Sequence, residues 1–142
     1  MTTITLDTAN TLIAAIFAEG QAKGLKPLSA VVTDAGGHVI AFQRQDGASS
    51  GRFRIALGKA SGALFLGISS RKVQEMAAER PTFLGSLTPI APDGIVPAAG
   101  GLLIYDAEGT LLGAVGVTGD TSDNDEAAAA VGISAVGLQK GI

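Results

Sequence analysis

The sequence predicts a mixed α/β domain, an antiparallel sheet of four or five strands with helices packed on it. Three observations lead there. Two β-rich hairpins with matching turns, Asp34-Ala35-Gly36-Gly37 and Asp106-Ala107-Glu108-Gly109, lie on either side of the chain's centre. Helical patterning precedes, separates and follows them, in the order α, ββ, αα, ββ, α. The strand–helix alternation of a dinucleotide-binding sheet is absent, and no phosphate-binding glycine loop opens a helix.

With 142 residues, 46% of them hydrophobic and 16% charged, the chain has the size and composition of one domain, residues 1–142, with a real core. Six residues are aromatic and 20 are glycine, so packing must rely on Ala, Val, Leu and Ile and on close backbone contacts. So little charge on so short a chain predicts a homo-oligomer. The net charge of −3 argues against nucleic acid as a partner. No cysteine is present, which removes disulfides, thiolate nucleophiles and cysteine-based metal sites. No apolar run reaches membrane-spanning length, and the first residues show no signal-peptide pattern, so the expectation is a cytoplasmic protein with no membrane partner.

The elements follow in order. Asp7 or Thr8 can cap a helix that carries Leu12, Ile13, Ile16 and Phe17 on one face and ends near Gly24. Strands Leu28 to Thr33 and His38 to Arg44 flank the first turn, whose glycines supply a positive φ. The next stretch is a helix rich in small residues, and its glycines predict close packing against the sheet or a partner. A shorter helix starts at Ser69 or Ser70 and stops at Pro81. Thr82 to Gly101 reads as a long ordered loop of the kind that often carries function. The second hairpin spans Leu102 to Tyr105 and Thr110 to Thr118. A last helix starts between Ser122 and Asp125 and runs to Gln139.

Several residues could carry chemistry. His38 is the only histidine, able to ligate haem or a metal or to move a proton, although Thr110 holds the equivalent place in the second hairpin. One histidine without cysteine does not make a protein-only zinc site, and no metal is expected. Arg44 and Lys59 could hold a carboxylate or a haem propionate, with Asp46 beside Arg44; structural ion pairs would use the same residues. Gly100 and Gly101 could offer backbone N–H groups to an anion or simply turn the chain. The acidic run Asp120, Asp123, Asp125 and Glu126 suits a helix start. Asp120 precedes the cap, so Asp120 or Asp125 could instead face a pocket.

The blocks "VVTDAGGHVIAFQRQDGA", "GKASGALF", "PAAGGLLI" and "LLGAVGVTGDTSDNDEAAAAVG", in this order, resemble the GlcG/HbpS-like family of haem-binding or haem-degrading domains over nearly the whole chain. The resemblance implies a profilin-like sandwich, assembly into dimers or higher oligomers, and ligand binding near subunit boundaries. It also implies relatives that occur as a domain of corrinoid adenosyltransferases. Where the family has Arg-Met-Asp-Gly this chain has Arg44-Gln45-Asp46-Gly47, which removes a thioether. The expected function is small-molecule binding with haem as the implied cofactor. The alternative is a small lyase, hydratase or tautomerase acting on an oxo- or hydroxy-acid. In it Arg44 and Lys59 anchor the carboxylate, and His38, Asp46 or Asp125 moves the proton. A carboxylate ligand would sit where Arg44, Asp46 and Lys59 meet Gly100, Gly101 and the acidic turn.

Overall fold

A computed structural model describes residues 3–141. Helix α1 (Leu6–Ala22) leads into β1 (Ser29–Asp34) and β2 (Val39–Arg44). Helices α2 (Arg52–Leu66), α3 (Ser70–Glu79) and α4 (Pro81–Leu87) follow, with a 3-10 turn at Thr88–Ile90. Then come β3 (Gly101–Tyr105), β4 (Leu111–Thr118), α5 (Ser122–Ala135) and a short β5 (Gln139–Lys140). The five strands form one antiparallel sheet in the order β2-β1-β4-β3-β5.

Strand alternation assigns the two faces. Ala30, Val32, Val115 and Val117 join Leu12, Ile13, Ile16, Ala129 and Ile133 in a core beneath α1 and α5. Val31, Leu103 and Ala114 point the other way, against Ala56, Ala60 and Ala63 of α2. A smaller core, Val73, Leu84, Ala91 and Ile95, ties α3 and α4 to the segment after them.

The hairpins repeat each other at the level of single hydrogen bonds. Gly37 N–H donates to the Asp34 carbonyl at 3.1 Å, and Gly109 N–H donates to that of Asp106 at 3.1 Å. Gly37 and Gly109 sit at φ +86° and +80°, where a side chain would strain the turn. Both ladders also shift register at one place, leaving Ile40 and Leu112 as the extra residues. Each directs its extra side chain into the α1/α5 core.

Four expectations are corrected. The cap of α1 is Thr5, whose Oγ1 accepts from Thr8 N–H at 3.1 Å, and not Asp7 or Thr8. Thr82 to Gly101 is not all loop: Pro81 opens α4, because its fixed φ suits the first helical turn, and does not simply stop α3. Gly58 and Gly62 give room to Val96 and Ile95 of the segment after α4, where a Cβ would lie 2.5 and 3.0 Å from their side chains. Close approach to the sheet is instead the work of Gly116, where a Cβ would collide with the Ala56 carbonyl. Finally, α5 ends at Ala135, and Gly137 at φ +73° turns the chain so that Gln139 pairs with Tyr105.

Candidate functional site

At the end of the sheet where β1 and β3 begin, α2 carries Lys59 into the interior. Its ammonium donates to the Val117 carbonyl at 2.9 Å and to Asp125 Oδ2 at 3.2 Å. The two side chains are 3% and 2% exposed. Asp125 Oδ1 accepts the Asp120 N–H at 3.0 Å, so each charged group has further polar partners. Burial pushes the Lys59 ammonium below its ordinary pKa and the Asp125 carboxyl above, against their mutual attraction. Gly100, at φ +129°, lies against this pair: a Cβ there would meet the Val117 carbonyl and come within 2.9 Å of Lys59 Nζ. Gly101 passes the Lys59 carbonyl as closely and donates its N–H to Ser70 Oγ at 2.7 Å.

Lys59, Gly100, Gly101, Asp120 and Asp125 therefore converge, but around a closed ion pair. Asp120 lies on the outside of it. Its carboxylate accepts from Asn124 Nδ2 at 2.7 Å, Lys26 N–H at 2.9 Å and Thr121 N–H at 2.8 Å. These bonds, the one from Asn124 foremost, lower its pKa to about 2. Arg44 and Asp46 stand apart on the β2 edge. Among the described residues Arg44 reaches only the Ala48 carbonyl, at 3.4 Å, and both residues line a shallow depression with Phe17, Gln21 and Pro27. Among the described residues they form no ion pair with each other or with Lys59.

His38 occupies the opposite end of the sheet. It follows the first turn and is 83% exposed. Its Nδ1 lies 3.3 Å from the Asp34 carboxylate, whose Oδ1 also accepts the N–H groups of Gly36 at 2.9 Å and His38 at 3.0 Å. Slight burial raises the Asp34 pKa, but the His38 N–H and the imidazole's charge outweigh it and hold the carboxyl below its usual value. A proton on Nδ1 would be held by Asp34, leaving Nε2 free to ligate. A cavity of about 190 Å³ lies next to this turn, between Gly36, Gly37, Leu64, Phe65 and Pro92. Gly36 lines it, and a Cβ there would be 3.0 Å from His38 Cε1. Counting eight residues along the chain at strand rise, His38 and Asp46 are separated by up to about 26 Å.

Two arrangements escaped the sequence. Arg71 of α3 clamps α5, with Nε donating to Glu126 at 3.0 and 3.1 Å and Nη2 to Asp123. The cap of α5 is Thr121, whose Oγ1 accepts from Asn124 N–H at 3.2 Å. The acidic turn is thus divided among a buried pair, an interhelical clamp and a loop tie, with a threonine doing the capping. Arg52, at the start of α2, donates to Thr118 Oγ1 at 2.9 Å. Among the described residues no group of three or more His, Asp or Glu side chains is placed to hold a metal ion, and no helix is long and apolar enough to cross a membrane.

The model of the family described as haem-degrading protein HbpS-like matches residues 4–134. The chain belongs to the HbpS-like family. The Klebsiella pneumoniae protein ORFY is similar at 28% identity, with a TM-score of 0.84 over 96% of this chain and 92% of that one. A double mutant of Streptomyces reticuli HbpS is 26% identical, with a TM-score of 0.78 over 94% and 87% of the two chains. PduOC, solved as a haem complex, shares the fold with a TM-score of 0.86 over 99% of both chains at 18% identity. Comparison with curated proteins gives no match. The HbpS-like fold thus accounts for nearly the whole chain, both hairpins included.

Proposed function

We propose that this HbpS-like protein binds haem, which His38 at the tip of the first hairpin would ligate. The observation that carries the reading is the state of His38, a fully presented imidazole with one nitrogen beside a carboxylate and no structural task for the other. That donor set fits haem iron, for which a neutral imidazole backed by a carboxylate is a good ligand. The surroundings are also suitable: Leu64 and Phe65 line the neighbouring cavity, and Phe65 and Val39 are exposed large apolar residues. Family membership and the haem complex of a protein with the same fold support the same cofactor.

Bound haem would supply a redox-active iron; the chain's part is to ligate it and shield its faces. A cavity of about 190 Å³ shelters only part of a macrocycle, and a second subunit covering Phe65 would shelter the rest. A homo-oligomer in the cytoplasm is the matching assembly. Tyr105 and Met76, the other conceivable ligands, pack against the cores instead. The lyase, hydratase or tautomerase alternative finds no support in the geometry. Its carboxylate anchor, Lys59, is spent on Asp125, and His38 lies at the other end of the sheet.

Haem titration followed by absorption tests the reading. Saturable binding with a Soret band that His38→Ala abolishes or shifts is the expected result. An unchanged band in the variant would reject His38 as the ligand.

A further inference from the structure

A second site follows from Arg52, which the haem reading does not use. Two arginines of this chain whose side chains do hydrogen-bonding work are half-buried, and they differ. Arg71 is answered by Glu126 and Asp123, whereas Arg52 has only the neutral hydroxyl of Thr118. Among the described residues no carboxylate pairs with Arg52. Partly desolvated guanidinium groups are ordinarily paired, and one N–H spent on a threonine leaves most of the donor fork free.

Beside Arg52 a cleft of about 240 Å³ opens between Lys26, Gly47, Ser49 and Gly119. Lys26 brings a second positive charge and Ser49 a hydroxyl. The turn carboxylate of Asp120 stays charged but is held by Lys26 N–H, Thr121 N–H and Asn124, and forms no ion pair with Arg52 among the described residues. Nor can Lys59, a few residues along α2, be released to take a ligand, because Asp125 and Val117 hold it. The wall is firm. Gly119, at φ +142°, touches the chain so closely that a Cβ would collide with the Pro27 carbonyl.

We propose that this cleft binds a small oxyanion, the carboxylate or phosphate group of a compact metabolite, with Arg52 supplying a two-pronged contact and Lys26 a supporting charge. Thr118 holds the guanidinium in place, so little side-chain freedom remains to be lost on binding. The volume lies below the roughly 300–1,000 Å³ of sites for drug-sized ligands, so the cleft itself encloses little more than the acid group of its ligand. The cleft sits at the strand-start end of the sheet and His38 at the turn end, so the two sites can be tested separately.

The test is an amide NMR titration of the haem-free protein at low ionic strength, with malonate and with inorganic phosphate as probes. Saturable shifts confined to Gly47–Arg52 and Gly119 are expected, and the tighter probe assigns the headgroup. Arg52→Gln should weaken binding about tenfold or more. Lys26→Gln should weaken it by a smaller factor and flatten its salt dependence. Lys26 is exposed, so its variant keeps the test decisive if Arg52→Gln fails to fold. Shifts that never saturate, that spread over the surface, or that persist unchanged in Lys26→Gln would overturn the site.

Discussion

The two ends of the sheet treat charge in opposite ways. Where β1 and β3 start, Lys59 and Asp125 are buried and every contact is answered within the chain. Where β1 and β3 end, Asp34 and His38 meet in the open, with the imidazole 83% exposed. The second hairpin shows what the first could do without. Asp106 takes the N–H groups of Glu108 and Thr110 at 3.0 and 2.8 Å, as Asp34 takes those of Gly36 and His38. Thr110 serves that turn as well as His38 serves its own. The aspartates are therefore part of the fold, and the imidazole is an addition to one repeat.

Breaking the buried end should cost most. Lys59→Met leaves Asp125 buried without its counter-charge, and the expected loss is about 3–5 kcal/mol in urea unfolding. Asp125→Asn should cost a similar amount, and the double variant clearly less than the sum. Additive losses would mean that the two charges do not depend on each other, and the contrast between the ends would fail.

Next in size is the difference between the turn aspartates. Asp106 is 7% exposed and Asp34 is half-buried. Asp106→Ala should cost about 1–3 kcal/mol, because it strands two N–H groups in a less accessible place. Asp34→Ala should cost less, since water can replace the carboxylate. Equal losses would show that burial does not separate the two turns.

Much of this arrangement was legible in the chain. Asp-Ala-x-Gly repeated after two β-rich runs placed both hairpins, because turn chemistry is local. Lys59 stood out because it lies among Gly58, Ala60, Ser61 and Gly62, where a charge has no obvious route to water. Its partner could not be read, since Asp125 is 66 residues away and only the packing of α5 brings it near. The same distance problem hid the Arg71 clamp and made the acidic turn look like helix-start chemistry. Pro81 misled for a different reason, because proline ends one helix and opens the next with equal ease.

A smaller effect separates Asp120 from its buried neighbour Asp125. Its folded pKa of about 2 lies below the ordinary 3.8, so its stabilising contribution is present above pH 3.8 and is lost as pH falls towards 2. Asp120→Asn should remove that part of the acid dependence, and a carboxyl NMR titration should find the group near 2. A midpoint at the ordinary value would mean that Lys26 and Asn124 do not hold the carboxylate in solution.

The least effect on stability is expected at the proposed haem ligand. His38→Thr writes the second hairpin's residue into the first turn. The backbone bonds to Asp34 come from N–H groups that threonine also has, and the imidazole is too exposed to contribute to packing. Stability should therefore change by less than about 0.5 kcal/mol. The Soret band of the haem-loaded protein should nevertheless be lost or displaced, since no other imidazole exists in the chain. The reciprocal change, Thr110→His, places an imidazole beside the buried Asp106, on a turn that does not line the cavity of Leu64 and Phe65. It should not restore the band in the His38→Thr background. Restoration would show that the turn alone makes the ligand, whereas its failure would assign the rest to the surface around Leu64 and Phe65. A marked loss of stability in His38→Thr would break the comparison at its base, because the imidazole would then belong to the fold.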